Sequence, residues 1–193
     1  MRIRSALALC FVIVCLAPAA AAAQETRKVG ITMGYPAAVG VLWHASSRLA
    51  LRPELTFNGT SSHTTTEFVN APIPDIEIES RATVIGTGVS ALFYLRTDDR
   101  LRLYVSPRFT YTHTTGSATG TTTNVPTSSE ETIHLTAGSG SFGAQYALGD
   151  RFGIFGEVGV AFSHSSSSYA TERTQRSGNA WGTRAGVGIV FYP

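Results

Sequence analysis

One stretch of this 193-residue chain has side chains that could do covalent chemistry. His164 and Ser166 are two apart, and Glu172 follows six residues later. A hydroxyl becomes a nucleophile when a base lies within hydrogen-bond reach and an acid orients that base. Yet Ser165 to Ser168 is an unbroken serine run, so a His-x-Ser spacing comes almost free. The plainer reading is the polar edge of a loop, and no catalytic residue is expected. The other histidines are His44, His63, His113 and His134. They do not cluster at metal-ligand spacing, so no metal and no cofactor is expected. His63, His113 and His134 all fall near the outer ends of expected strands, which leaves a surface metal site as the lesser alternative. A second set of residues, Arg52, Glu54, Arg102, Arg108, Gln145, Glu157 and Arg184, matters because of the elements that carry it.

Those elements begin with an export signal. Arg2 and Arg4 form a positive start, Ala6 to Ala17 is apolar, and Ala21-Ala22-Ala23 precedes Gln24. This fits a cleaved Sec-type signal over 1–23, with one domain over 24–193. The apolar run is too short to span a bilayer. Both cysteines, Cys10 and Cys15, lie inside the signal, so no disulfide or thiolate chemistry is expected in the mature chain. Loss of Arg2 and Arg4 from the 15 basic residues leaves 13, equal to the 13 acidic ones. A neutral chain without a basic patch gives no reason to expect nucleic acid. Past the signal no run of 18 apolar residues occurs, so no transmembrane helix is expected. Abundant Gly, Ser and Thr with frequent aromatics favour many strands.

The dominant signal is period two. Leu49, Leu51, Pro53, Leu55 and Phe57 form one face, against Arg48, Ala50, Arg52, Glu54 and Thr56. Leu101, Leu103, Val105, Pro107, Phe109 and Tyr111 do the same against Arg102, Tyr104, Ser106, Arg108 and Thr110. Phe152, Ile154, Gly156, Val158, Val160 and Phe162 repeat it, with Glu157 opposite. Each segment follows a tight polar turn ending in arginine: Arg48, then Arg100 and Arg151, 52 and 51 residues apart. That spacing suits two hairpins in series.

Midway between the turns lie Ser/Thr-rich stretches, Gly59 to Glu79, Thr114 to Glu131 and His164 to Asn179, which read as long loops. Short turns at one end and long polar loops at the other mark an outer-membrane barrel. The expected strands are Lys28–Tyr35, Ala38–His44, Leu49–Asn58, Arg81–Leu95, Leu101–Thr112, Thr132–Leu148, Phe152–Ser163 and Ala180–Tyr192. The count depends on Tyr35-Pro36-Ala37. One bent strand over Lys28–His44 would give seven.

The signal, the alternation in Leu49–Phe57 and Leu101–Tyr111, the Asp-Arg turns and the aromatic last strand resemble the small OmpA-like and OmpX-like eight-stranded barrels of the outer membrane. Gly186 with Ile189 and Phe191 is similar to the C-terminal signal read by the outer-membrane assembly machinery. The resemblance implies an all-β, eight-stranded antiparallel up-and-down transmembrane barrel in the envelope of a Gram-negative bacterium. Both ends are expected in the periplasm, and the peptidoglycan-binding domain of the larger OmpA proteins is not expected after the last strand.

In such a barrel the outer face must be apolar and the backbone fully paired. Val29, Ile31, Met33, Val41, Trp43, Leu51, Leu55, Val105, Ile154, Val158, Val187 and Ile189 meet that demand. Trp43, Phe57, Phe109, Tyr111, Trp181 and Phe191 are the candidates for interfacial girdles. The seven polar residues named above point inward, where charges must pair, with arginines forking onto Glu54 and Glu157. Eight strands leave no open lumen, so a structural plug is preferred to an ion path.

The expected function is a non-enzymatic structural or surface-interaction role carried by long extracellular loops. The expected partners are outer-membrane lipid and lipopolysaccharide, with a monomer and an unidentified loop partner. The alternatives are a narrow pore, a soluble periplasmic binding barrel, or a lipid A-modifying hydrolase. The last rests on a loose similarity of His164, Ser166 and Glu172 to the lipid A deacylases.

Overall fold

Alternating side chains and hydrogen-bonding turns dictate the strands seen in the computed structural model, which describes residues 29–35, 38–66, 76–122, 125–169 and 175–193. There are eight: β1 (Val29–Tyr35), β2 (Ala38–His44), β3 (Leu49–Thr66), β4 (Ile76–Thr97), β5 (Leu101–Thr122), β6 (Val125–Ala147), β7 (Phe152–Tyr169) and β8 (Gln175–Phe191). Each pairs antiparallel with its chain neighbours, and β1 pairs with β8. The fold is therefore the expected eight-stranded antiparallel up-and-down barrel. The signal segment 1–23, Lys28 and Pro36-Ala37 lie outside the described residues. Even so, Val29 opposes Trp43 and Gly34 opposes Ala38, so Val29–His44 forms two strands.

The short turns are held locally. Ser46 Oγ accepts from the N–H groups of Arg48 and Leu49, an arrangement that suits a serine in a tight turn. Asp98 N donates to Leu101 O at 2.8 Å, and Leu148 N to Phe152 O at 2.9 Å. Both the start of β1 and the end of β8 lie at this short-turn end.

Alternation sorts the faces. Val29, Ile31, Met33, Val41, Trp43, Leu55, Val105, Ile154, Val158, Val187 and Ile189 are exposed on the outside. Leu51 shares that face as the direct partner of Trp43. Inside, Leu42, Ala50, Leu92, Tyr94, Tyr104 and Val190 form a small buried core.

The three long loops are a correction. β3 continues to Thr66 and β4 starts at Ile76; β5 continues to Thr122 and β6 starts at Val125; β7 runs to Tyr169 and β8 from Gln175. Most of Gly59–Glu79, Thr114–Glu131 and His164–Asn179 is therefore paired strand. The segment holding Phe68, Val69, Pro72, Ile73, Pro74 and Asp75 lies outside the described residues, as does Glu172. The physical reason is that a ladder needs backbone pairing and not an apolar face. Threonine, branched at Cβ, suits it well.

β1 and β2 have seven residues each, whereas β4, β5 and β6 have 22, 22 and 23. Pairing of β2 with β3 stops at Thr56, and pairing of β1 with β8 stops at Val187. Beyond that level β3 pairs only with β4, and β8 only with β7, among the described residues. The closed ring thus continues upward as a six-stranded wall.

Candidate functional site

The polar interior sits at the level where the ring is closed. Arg52, on β3, is 2% exposed and lies between two carboxylates. Its Nε is 3.0 Å from Glu54 Oε1, and its Nη2 donates to Glu157 Oε1 at 2.6 Å. Arg108 Nη2 reaches Glu54 Oε2 at 2.8 Å from β5. Arg184 Nη1 donates to Glu157 Oε2 at 2.8 Å and to Ser141 Oγ at 3.0 Å from β8. Strands β3, β5, β7 and β8 are thereby tied across the barrel. Each arginine here reaches a carboxylate through separate oxygens, and Arg52 bridges two carboxylates instead of forking onto one. Three arginines share two carboxylates, and such pairing offsets the cost of burying charge.

Aromatic rings shape this layer. Phe155 places its face 4.9 Å from the Arg52 guanidinium carbon. Phe155 in turn lies over Gly188, its partner across β7 and β8. Tyr104 donates its hydroxyl to Glu157 Oε1 at 3.0 Å. Its ring fills the space above Gly143, its partner on β6.

Gln145 and Arg102 point inward but belong to a second layer, nearer the short turns. Gln145 Nε2 donates to Tyr192 Oη at 3.0 Å, and Gln145 Oε1 accepts from Tyr94 Oη at 3.4 Å. The Arg102 guanidinium lies 5.8 Å from the centre of the Tyr94 ring. His44 stacks on Tyr94 and Tyr192, with ring centres 5.6 and 6.1 Å away. Burial pushes the Tyr192 hydroxyl above the ordinary tyrosine range. This aromatic cap of His44, Tyr94, Tyr104 and Tyr192 was missed by sequence reasoning. The signal that could have found Tyr104 was present, since it shares the alternating face of Arg102 and Arg108.

Outside, Trp43, Phe57, Phe109, Tyr111 and Trp181 are exposed, with Phe191 half-buried. Trp43 and Phe191 lie toward the short turns. Phe57 lies one residue beyond the last β2–β3 pair and Trp181 six residues beyond the last β1–β8 pair, with Phe109 two residues below Tyr111. Phe162 packs against Trp181, ring centres 4.8 Å apart. Above that level the outer face turns polar. His113 and His134 are direct cross-strand partners there, and His63 lies 3.2 Å from Glu77. His164 and Ser166 are also on this face, and His164 Nδ1 is 2.8 Å from Asn179 Oδ1. Among the described residues no three His, Cys, Asp or Glu side chains group to hold a metal. No described helix is long and apolar enough to cross a membrane, which leaves strands unaddressed.

No protein-family profile matches this chain, and no curated protein matches it. Solved structures do. CarO2 of Acinetobacter baumannii matches at 13% identity over 86% of this chain and 97% of its own, with a TM-score of 0.44. A major outer membrane protein from Thermus thermophilus matches at 10% identity over 85% and 98%, with a TM-score of 0.48. Ail, the attachment invasion locus protein of Yersinia pestis, matches at 10% identity over 84% and 91%, with a TM-score of 0.34. At that level the similarity concerns the fold and sets no expectation about activity or partner.

Proposed function

We propose that this chain is an integral outer-membrane barrel with a structural and surface-interaction role, and that it works without catalysis. One observation carries the reading: the barrel is apolar outside and charged inside. Val158 is 63% exposed and Val187 61%, while Glu157, between them in register, is 3% exposed. Water would penalise such an outer belt, and a bilayer would reward it. The belt also has the right height. A bilayer-spanning strand needs roughly 9–11 residues, and outward apolar residues on β5 run from Leu101 to Tyr111 before His113, Thr115 and Ser117 replace them.

The interior supports a plug over a pore, because the Arg52–Glu157–Arg184 chain crosses the lumen. Surface contact then falls to the polar wall built by β3 to β8 beyond the belt. Membrane fractionation with unheated and heated gel samples tests the placement. The protein should sediment with outer membranes, resist carbonate extraction and migrate differently after boiling. Recovery in the soluble periplasmic fraction would overturn it.

A further inference from the structure

We propose that His113 and His134 form a surface site for an imidazole-preferring divalent transition-metal ion, with Zn²⁺ or Cu²⁺ as the fitting class. The two residues oppose each other directly on β5 and β6, on the outer face, one step beyond Tyr111. Their Nδ1 atoms are 3.4 Å apart, and their ring centres 4.8 Å. Two imidazole nitrogens, each about 2.05 Å from a tetrahedral ion, lie about 3.35 Å from one another. The ladder therefore already holds this pair at the bite such an ion needs. Little side-chain freedom would be lost on binding.

The hydrogen-bonding inventory points the same way. A ring nitrogen offers one N–H or one lone pair, not both. His134 Nδ1 is nonetheless approached by two groups, Tyr111 Oη at 2.7 Å and His113 Nδ1 at 3.4 Å. One nitrogen cannot serve both partners well. An ion accepting the lone pairs of both imidazoles would replace the Tyr111 hydroxyl at His134 Nδ1, trading one hydrogen bond for two metal–nitrogen bonds. His113 faces Ile85 on β4, and His134 faces Ser166 on β7, so no cation opposes the site across either ladder. With two protein ligands, the other positions fall to water or another oxygen donor. Hard ions such as Mg²⁺ have no reason to prefer two imidazoles.

Untagged, folded barrel in detergent can be titrated with ZnCl₂ by calorimetry, with MgCl₂ as the comparison. The expected result is one Zn²⁺ per barrel and no Mg²⁺. Replacing even an outer-sphere partner of a metal site costs roughly 10–100-fold in affinity, so His113→Asn and His134→Asn should each weaken Zn²⁺ by at least that much. His63→Asn, on the same polar wall, should bind as wild type. Heat-modifiable migration shows that each variant is folded. Cu²⁺ loaded on the wild type should give a resonance spectrum with coupling to two nitrogens, a test that needs no variant. Absence of Zn²⁺ uptake by the wild type, or wild-type affinity in both His113→Asn and His134→Asn, would overturn the proposal.

Discussion

Tyr104 occupies the space that a side chain on Gly143 would need. A Cβ built on Gly143 would lie 2.5 Å from Tyr104 Cζ. The two residues are direct partners across β5 and β6, and the arrangement aims the Tyr104 hydroxyl at Glu157. Phe155 over Gly188 repeats the device on β7 and β8. In both cases the ring belongs to the interior layer that orders the charges.

The first prediction follows directly. Gly143→Ala and Gly188→Ala should each destabilise the barrel by about 1–3 kcal/mol, the usual range for overpacking. Gly156→Ala is the comparison, because nothing lies within 4 Å of a Cβ placed there. It should change stability by less than about 0.5 kcal/mol. Urea midpoints of refolding into detergent micelles measure all three.

Glu157 is the carboxylate on which Arg52, Arg184 and Tyr104 converge. Its loss leaves two guanidinium groups facing each other inside a narrow barrel. Glu157→Ala should cost about 3–5 kcal/mol, the range for breaking a buried pair from one side. A double variant, Glu157→Ala with Arg184→Ala, removes one of the stranded cations as well. It should recover part of that loss, and a denaturant series on the four proteins of the cycle reads the coupling.

These charges were legible in the sequence because a strand's period is fixed. Arg52, Glu54 and Arg108 each sit between apolar neighbours, and Glu157 and Arg184 each border one, so their direction follows from parity alone. Their grouping into one layer, apart from Arg102 and Gln145, depends on strand tilt and register, which parity does not carry. The His113–His134 pair was hidden for the same reason, since 21 residues and a hairpin separate the two. The wall above the belt was misread because its outward residues stop being apolar. Thr115 and Ser117 look like loop by composition, yet each has a ladder partner on both sides.

The plug makes a prediction about ions. Reconstituted wild-type barrel should show no discrete single-channel steps in planar bilayers, because paired side chains fill the interior of an eight-stranded barrel. Replacing Arg52, Glu157 and Arg184 together with Ser removes the side chains that cross the lumen while keeping small polar groups. Steps that appear only in that variant would locate the block at this layer. Steps in the wild type that vanish on Arg184→Ala would show instead that the network is a conducting path.

The outer belt separates bilayer placement from a soluble barrel most sharply. Val158 points outward near the middle of the apolar run on β7, with Ile154 and Phe162 on either side of it. Facing water, an exposed valine would accept Val158→Arg with little penalty, within about 0.5 kcal/mol. Facing hydrocarbon, the same change should cost about 2–4 kcal/mol at mid-depth. Thr119→Arg provides the reference. Thr119 is exposed on the same outer face of the sheet but well above the belt, opposite Glu79 and Ser128. In lipid vesicles, Val158→Arg should fold with lower stability than wild type while Thr119→Arg matches it. Equal stabilities of the two variants would reject the bilayer, because only a depth-dependent solvent can tell two exposed outward positions of one barrel apart.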